Sequence, residues 1–291
     1  MKIFITGGTG FIGQPIVRIF AAHGHKVLLL SRAPKKYANS FNGKHVQFLK
    51  GDLSHIYSIK NKIEKFRPDV ILHLAWEGVL DYRSPENSVK NLKNSLDFLL
   101  FAVSISCKKI VCAGSGLEYG TLMGRVNERT EVHPSNVFEA AKTALHDVGK
   151  EIAKKNGVQF VWARIFHSYG PGQRPAALIP YLVRCLKDGT PPTIKNPKTA
   201  HDYIYVDDVA SAFAKIVLKK NLKSDAYNIG SGRLASAGEI AAIVQNGKAL
   251  GHSPKKGAGR YTDISKIKKE LGWQPLVDIE RGIKKTIAYY I

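Results

Sequence analysis

The sequence predicts an α/β protein: a Rossmann-type doubly wound parallel sheet with a smaller C-terminal lobe. Short apolar strand-like segments alternate with helix-length segments, a glycine-rich turn joins the first strand to the first helix, and prolines punctuate the chain beyond residue 170. Strands that alternate with helices at this rhythm imply right-handed crossovers and a parallel sheet. We expect a dinucleotide-binding domain over residues 1–168, to which 203–228 returns, and a lobe made mainly of 169–291. Residues 203–219 are expected to form one helix.

The first strand, Ile3-Phe4-Ile5, is followed by glycines at positions 7, 10 and 13 and by a helix from Pro15. Such glycines permit a tight turn, a close approach of backbone N–H groups to a pyrophosphate, and close packing of helix on strand. Because the pattern lies between a strand and a helix, it predicts dinucleotide binding rather than an ordinary turn. The expected cofactor contacts are Gly7, Thr9, Gly10, Phe11, Ile12 and Gly13.

The second strand, 26–30, ends at Ser31-Arg32. A carboxylate at this place takes the adenosine ribose hydroxyls, whereas an arginine accommodates a 2′-phosphate. No carboxylate is present, and Arg32 is followed by Lys35 and Lys36. The sequence therefore favours NADP(H) over NAD(H), with Ser31 and Arg32 as contacts. If Arg32 is only a solvated strand end, the preference is weak.

Three further strands are predicted over 46–50, 69–75 and 109–113, with a helix over 91–102 before the last of them. After the third strand, Asp52 either accepts a bond from the adenine amino group or caps the helix that starts at Ser54. After the fourth strand, a small residue lets a cofactor lie across the sheet. Further cofactor contacts are expected at Leu53, Leu74 and Ala75.

The segment after the fifth strand carries the candidate catalytic residues. Residues 114–120 lie at the carboxyl end of that strand, where open α/β sheets bind ligands. A helix is then entered at about residue 134 and runs to about Asn156. Phe138 and Lys142 are four residues apart and therefore share a helical face.

Composition limits the function classes. The chain has 291 residues, 44% of them hydrophobic, and 44 Lys+Arg against 23 Asp+Glu give a net charge of +21. The basic residues are scattered in pairs, which is typical of a solvated surface, so no nucleic-acid partner is expected. The positive field of the protein favours small anionic ligands. Three irregularly spaced cysteines predict a reducing compartment and no metal site. Without a leader or a membrane-spanning run, we expect a cytoplasmic protein with no membrane partner.

Together these motifs make the chain resemble the extended short-chain dehydrogenase/reductases, the NAD(P)-dependent sugar-nucleotide epimerase/dehydratase/reductase family. The resemblance covers nearly the whole chain, and it implies that residues 169–291 form mainly a sugar-nucleotide-binding lobe, the substrate lobe of the fold. Its matched blocks are Thr6–Gly13, Gly51–Leu53, His73–Ala75, Ser115 with Tyr119–Gly120, Arg164 with Tyr169–Gly172, Asp202–Asp208, Tyr227–Gly230 and Leu271–Pro275.

The resemblance implies a catalytic set of Tyr-x-x-x-Lys and a preceding Ser or Thr. In the family, the Tyr exchanges a proton with a sugar oxygen, and the Lys lowers the pKa of that Tyr and holds the nicotinamide ribose. A hydride passes between the sugar carbon and the nicotinamide. Ser115 and Lys142 match, but Phe138 occupies the Tyr position. A phenyl ring has no O–H, and acid–base assistance is typically worth ~10² to 10⁴ in rate. Either Phe138 is an engineered inactivating substitution, or the natural protein lacks the acid.

The resemblance also implies a set of substrate contacts in which two positions differ. His167 stands where the family commonly has Asn, and His201 where it commonly has a phosphate-binding Arg. Arg260, with Lys255 and Lys256 nearby, can supply cations for a diphosphate or be solvated surface. The expected substrate contacts are Trp76, Glu118, His167, Gln173, Arg174, His201 and Arg260, with no metal ligands.

From these features we predict an NADP(H)-dependent oxidoreductase acting on a nucleoside-diphosphate sugar, namely a 4-keto-6-deoxyhexose reductase for polysaccharide synthesis. Reduction is favoured because Arg32 indicates a consumed NADPH, and because Gly116-Leu117 follows Ser115 where dehydratases have an Asp-Glu pair. The alternatives are an NAD-dependent sugar-nucleotide epimerase or dehydratase, and a catalytically silent dinucleotide-binding sensor. A homodimer formed by the helix of Phe138 and Lys142 is implied by the resemblance alone.

Overall fold

A computed structural model describes residues 1–41, 43–78, 81–105, 107–248 and 258–291. Its main feature is a seven-stranded parallel sheet with the strand order β11-β7-β5-β4-β1-β2-β3. The predicted Rossmann-type order, in which the chain moves outward from β1 in one direction and then in the other, is confirmed. The strands of this sheet are β1 (Lys2–Thr6), β2 (Lys26–Ser31), β3 (Val46–Lys50), β4 (Val70–His73), β5 (Lys109–Ser115), β7 (Gln159–Ile165) and β11 (Ala226–Ile229).

Six short strands form three two-stranded sheets, in which β8 pairs with β10, β9 with β12, and β6 with β13. They are β6 (Gly124–Val126), β8 (His167–Tyr169), β9 (Ala200–His201), β10 (Tyr203–Tyr205), β12 (Ala235–Ser236) and β13 (Arg260–Thr262). The helices are α1 (Gly13–Ala22), α2 (Pro34–Tyr37), α3 (Lys60–Phe66), α4 (Pro85–Ser104), α5 (Val137–Lys155), α6 (Leu178–Asp188), α7 (Val206–Leu218), α8 (Ala237–Asn246), α9 (Ser265–Leu271) and α10 (Ile279–Tyr290).

One predicted element was wrong at its start. Residues 203–219 were expected to form one helix, but Tyr203–Tyr205 is a strand, parallel to β8, and the helix begins at Val206. The alternating aromatic residues of this segment favour a strand over a helix because they pack well on a pleated surface. Helix α4 is also longer than predicted: Ser84 caps it by accepting a bond from the Asn87 N–H at 3.1 Å.

The chain forms two compact units. The first comprises Met1–Thr121, Glu131–Arg164 and Phe213–Tyr227, and the second Leu122–Thr130, Ile165–Ala212 and Asn228–Ile291. In the first unit, Ile3, Phe4 and Ile5 of β1 have no exposed surface, as expected for a parallel strand covered on both faces. Phe98 and Phe101 of α4 pack into this core, so the amphipathic face of α4 covers the sheet.

The second unit has its own apolar core, built from α6, α8 and α10. Ile179 and Val183 of α6 pack with Ile240 and Val244 of α8 and with Ile283 of α10. Asp202, which has no exposed surface, accepts bonds from the backbone N–H groups of Ser231 and Gly232 in the loop after β11 and from that of Thr262 on β13. It thereby fixes this loop beside β13. Burial raises the pKa of Asp202, while its hydrogen bonds lower it, and the net shift is upward.

In the described ranges, no helix has both the length and the apolar composition needed to cross a bilayer. Likewise, the part of the chain that the structure describes has no group of three or more His, Cys, Asp or Glu side chains placed to hold a metal ion. Cys107, Cys112 and Cys185 are free and buried.

Candidate active site

The glycine-rich turn fits tightly between β1, β4 and α1. Gly7 has a φ of +73°, and a Cβ there would lie 2.5 Å from the backbone N of Ala75. A Cβ on Gly13 would lie 2.3 Å from the Gly7 carbonyl oxygen. Neither position has room for a side chain, so these two glycines permit the close packing of turn, strand and helix. Helix α1 begins at Gly13 rather than at the predicted Pro15.

The middle glycine of the pattern, Gly10, leaves the start of α1 accessible to a ligand. Gly10 is exposed, while Thr9, Phe11 and Ile12 are partly exposed. Among the described residues no side chain caps α1, and its first turn carries no acidic residue. The partial positive charge of this helix end is therefore available to an anion. These residues fit the pyrophosphate of a dinucleotide.

A buried hydrogen-bonded chain supports the neighbouring strand end. The Thr6 hydroxyl lies 2.7 Å from His73 Nδ1, and His73 Nε2 lies 3.0 Å from the Ser95 hydroxyl. Burial, reinforced by the positive charge of Lys142, lowers the pKa of His73 to about 3. His73 is thus a neutral linker between β1, β4 and α4. The Leu74 N–H donates to the Thr6 carbonyl, which places Leu74 and Ala75 as a partly exposed extension of β4.

At the end of β2, Arg32 is not free to bind a 2′-phosphate, contrary to the expectation from the sequence. Ser31 is buried, and its hydroxyl accepts from the Ala33 N–H at 3.2 Å. The side chain of Arg32 is 66% exposed but bonds the Glu77 carboxylate, and its Nε lies 3.9 Å from Asp52. Arg32 is therefore already paired with an acid. This pairing removes the reason for taking Arg32 alone as evidence for a 2′-phosphate.

Asp52 caps the turn that follows β3. Its Oδ1 accepts from the Ser54 N–H at 2.9 Å and from the Ser54 hydroxyl at 2.8 Å. Partial burial alone would raise the pKa of Asp52, but these bonds and the charge of Arg32 lower it. Of the two expected roles the structure displays the cap, which leaves Oδ2 beside Arg32. Leu53 packs against the core of the first unit.

An aromatic cluster encloses the two candidate catalytic positions on α5. Phe138 is 8% exposed, and its ring forms T-shaped contacts with those of Trp76 and Tyr82 at centroid distances of 5.7 and 5.6 Å. The Lys142 ammonium lies 3.9 Å from the Trp76 ring centroid and donates to the Ala113 carbonyl at 2.8 Å. Trp76 therefore joins Phe138 to Lys142, and the Ala113 bond anchors Lys142 two residues before Ser115.

Burial controls the charge of Lys142. The side chain is 6% exposed, and desolvation lowers its pKa to about 8, against an upward contribution from the Glu118 carboxylate. A cation over an indole face is favourable, which partly compensates the loss of water. At neutral pH Lys142 remains mostly protonated, yet close enough to its pKa to release a proton with a small change in surroundings.

This depressed pKa predicts a pH dependence of stability. Between pH 8 and 10.5 the unfolded chain binds a proton at Lys142 that the folded chain has released, so the free energy of unfolding rises with pH across this window. From pH 8 to 9.5, we expect Lys142 to contribute a rise of about 1–2 kcal/mol. Lys109, whose pKa burial also lowers to about 8, adds a similar rise. Urea unfolding at the two pH values should show a smaller rise for Lys142→Met; an unchanged rise would contradict the assignment.

Ser115 and Glu118 form a capping box at the end of β5. The Ser115 hydroxyl accepts from the Leu117 N–H at 3.1 Å, and Glu118 Oε1 accepts from the Ser115 N–H at 2.7 Å. These bonds fix the orientation of Ser115. The hydroxyl retains its own O–H for donation, so Ser115 can still bond a ligand oxygen.

Glu118 is not available to a substrate in this structure, contrary to the expected contact. It has no exposed surface, and its carboxylate accepts from the Trp162 indole at 3.0 Å and from Arg164 Nε at 2.8 Å. Arg164 is itself 4% exposed. The pair joins the turn after β5 to β7, and the Glu118 carboxylate raises the pKa of Lys142 against the effect of burial.

The other expected substrate residues lie in the second unit. His167 and His201 stack with ring centroids 3.9 Å apart. Burial, the partner histidine and Arg260 lower the pKa of His167 to about 3, and burial and Arg260 lower that of His201. Both rings are therefore neutral near pH 7, so they offer hydrogen bonds and stacking rather than charge. The arginine expected to act with them, Arg260, lies on β13, while Lys255 and Lys256 lie outside the described residues.

Gln173 and Arg174, the last two expected substrate contacts, differ in how exposed they are. The Gln173 amide donates to the Ser168 carbonyl at 2.9 Å, and its backbone carbonyl accepts from the Tyr290 hydroxyl at 2.9 Å. Gln173 is thus tied to the protein, although its buried Oε1 is without a hydrogen-bond partner among the described residues. Arg174 is exposed.

Two residues near the site were missed by the sequence analysis. Glu77, which pairs with Arg32, and Tyr82, which packs on Phe138, lie in the segment between β4 and α4. Neither belongs to a periodic pattern or a spaced motif. The feature that could have indicated them is a loop with aromatic and acidic residues directly after a parallel strand, at the edge of the sheet where ligands bind.

Comparisons with known proteins identify the family of this chain. Residues 3–230 match the model of the NAD dependent epimerase/dehydratase family. A putative UDP-glucose 4-epimerase of Methanocaldococcus jannaschii is 28% identical, and the alignment covers 99% of this chain and 97% of the relative. The structure also resembles a UDP-glucose 4-epimerase of Thermotoga maritima solved with UDP-glucose (TM-score 0.87, 24% identity, 100% and 98% covered).

A second solved structure extends the likeness to dehydratases. The dTDP-glucose 4,6-dehydratase of Bacillus anthracis, solved with NAD, has a TM-score of 0.85 and 23% identity, with 100% of this chain and 96% of that chain covered. The predicted family is confirmed, whereas a 4-ketoreductase and an NADP preference receive no support from these relatives. This chain belongs to the NAD-dependent epimerase/dehydratase family.

Proposed function

We propose that this protein binds NAD(H) and a nucleoside-diphosphate sugar, and that its site is of the 4-epimerase type. The observation that carries the proposal is that Lys142, which shares a face of α5 with Phe138, bonds the Ala113 carbonyl two residues before Ser115 at the carboxyl end of β5. Relatives with this family's fold include a putative UDP-glucose 4-epimerase and a dehydratase solved with NAD. The earlier expectation of an NADPH-consuming reductase is replaced by the epimerase or dehydratase alternative.

Between these two reactions, the carboxylates favour epimerisation. Dehydration needs an acid and a base to remove water from the sugar, in addition to the hydride transfer. Next to Ser115 the chain has Gly116 and Leu117, and the nearby Glu118 carboxylate is occupied by Trp162 and Arg164. No carboxylate in this stretch is therefore free to remove the sugar protons.

The residues have separable tasks in the proposed reaction. Bound NAD would supply reversible hydride acceptance from the sugar carbon. Ser115 would donate its hydroxyl hydrogen to the reacting sugar oxygen. Lys142 would stabilise negative charge on that oxygen through its ammonium, whose position is fixed by Ala113 and Trp76. Phe138 supplies shape and excludes water but moves no proton, so turnover should be low.

A second candidate is a silent binding protein, and one observation favours it. The Phe138 ring is packed edge-on against both Trp76 and Tyr82, an arrangement that is complete without a hydroxyl. Such a protein would bind dinucleotide and sugar nucleotide without turnover. The codon at position 138 of the gene separates a native phenylalanine from an engineered one.

The test of the proposed function is binding, because binding does not depend on the missing hydroxyl. Mass spectrometry of ligand released from the purified protein is expected to detect NAD, and calorimetry with NAD present should detect binding of UDP-glucose or dTDP-glucose. As a control, Gly13→Val should abolish dinucleotide binding, since a Cβ there meets the Gly7 carbonyl. Failure of every sugar nucleotide to bind would contradict the proposal.

The homodimer implied by the resemblance stays a prediction. Leu100 of α4 and Val148 of α5 are 47% and 44% exposed, which is consistent with an apolar face on these helices.

A further inference from the structure

A charged cluster at the end of β2 takes no part in the proposed reaction. It comprises Arg32, Asp52, Glu77 and Lys90, which approach the place where a Rossmann-type fold receives the adenosine ribose. Arg32 follows β2, Asp52 follows β3, and Glu77 follows β4. Residues that follow three strands of the first unit therefore contribute to one cluster, although β1 lies between β4 and β2 in the sheet.

We propose that Glu77 determines the choice of dinucleotide, by engaging the Arg32 guanidinium and thereby selecting NAD(H) against NADP(H). This inference rests on the proposed function, since it requires the dinucleotide to lie along the glycine-rich turn. It assigns a specificity role to a residue that no motif of the sequence marks.

The hydrogen bonds of Glu77 hold it in place for this role. Its backbone N–H donates to Asn91 Oδ1 at 2.7 Å, and its carbonyl accepts from Asn91 Nδ2 at 2.9 Å. Asn91 is 6% exposed and lies on α4. Lys90, also on α4, donates to Glu77 Oε2 at 3.1 Å, while the other oxygen bonds Arg32. A buried amide thus fixes the main chain, and two cations orient the carboxylate.

The charge balance of the cluster disfavours a 2′-phosphate. The four side chains carry two positive and two negative charges, so the cluster has no net charge to offer a phosphate dianion. Binding such a dianion to Arg32 would displace Glu77 and leave two carboxylates, Glu77 and Asp52, facing the phosphate. Lys35 and Lys36 of α2 are exposed cations close to Arg32 in sequence. They do not change the fact that the Arg32 guanidinium itself is bonded to a carboxylate, that of Glu77.

The stability of the protein does not require this pair. The side chains of Arg32 and Glu77 are 66% and 37% exposed, and ion pairs with that exposure contribute little to folding. A carboxylate that holds a guanidinium at a ligand site is therefore better explained by ligand selection than by folding. The same exposure makes the variants below suitable for measurement, because they should fold.

The test compares dissociation constants for NADH and NADPH, measured by fluorescence titration without any sugar. The protein is expected to bind NADH more tightly than NADPH. Glu77→Gln should improve NADPH binding relative to NADH by about tenfold or more, because Arg32 is then free to pair with the phosphate. The gain should shrink as salt is added. In Glu77→Gln combined with Arg32→Met, the gain should disappear.

The matched control is Glu64→Gln, which removes a carboxylate of similar exposure from an ion pair with Lys60 on α3. It should leave the NADH to NADPH ratio unchanged. The inference is overturned if Glu77→Gln gives the same ratio as Glu64→Gln, or if the unaltered protein prefers NADPH. If the unaltered protein binds neither dinucleotide, the proposed function fails, and this inference fails with it.

Discussion

Phe138→Tyr is expected to raise the rate of sugar-nucleotide epimerisation by about 10² to 10⁴, since it supplies the general acid–base group that the site lacks. The new hydroxyl would extend from a ring position already fixed by Trp76 and Tyr82, on the same helical face as Lys142. The nearby ammonium should lower the pKa of the introduced phenol, which favours proton exchange near neutral pH. Turnover of UDP-glucose with bound NAD, followed by chromatography of the sugar products, measures the effect.

Two control variants make this result interpretable. Phe138→Leu keeps the site apolar and should not raise the rate, whereas Phe138→Tyr combined with Lys142→Met should lose most of the gain. Tyr82→Phe tests whether the neighbouring hydroxyl already acts in place of the missing one. A protein that is fully active with Phe138 and loses activity in Tyr82→Phe would show that the proton comes from Tyr82 instead.

Glu118→Gln is expected to destabilise the fold by about 3–5 kcal/mol, because it leaves the buried Arg164 without its counter-charge. Both side chains are nearly inaccessible, so water cannot replace the lost interaction. The amide has the size of the carboxylate, and no cavity is created. It also presents an N–H₂ group to Trp162 and Arg164, which are both donors. Urea unfolding followed by circular dichroism gives the difference in free energy.

The control for this prediction is an exposed carboxylate. The side chain of Glu131 is 83% exposed and lies 3.8 Å from His133, so Glu131→Gln should change stability little. Adding Arg164→Met to Glu118→Gln should restore part of the loss, because the unpaired buried charge is then removed. A Glu118→Gln protein as stable as Glu131→Gln would mean that the buried pair does not stabilise the fold.

Local sequence determined the sheet and the dinucleotide turn. Residues only a few positions apart were enough to predict the apolar strands around Ile5 and Leu29 and the turn with glycines 7, 10 and 13. Strand burial repeats with a fixed period, and the glycines have a fixed spacing between strand and helix. The Tyr203–Tyr205 strand was missed for a related reason. A segment of three residues is too short to show the alternation of buried and exposed side chains that identifies a strand. Its partner strand, His167–Tyr169, is distant in sequence.

The tertiary structure alone decided what the charged side chains do. Arg32 read by itself indicates NADP, yet Glu77, 45 positions away along the chain, occupies its guanidinium. Glu118 read by itself looks like a sugar contact, yet Trp162 and Arg164 enclose it. A charged side chain takes its function from whichever groups surround it in space, and those groups come from separate strand ends. The sequence by itself therefore determined the fold and the presence of Ser115, Phe138 and Lys142, while only folding decided which ions were already paired.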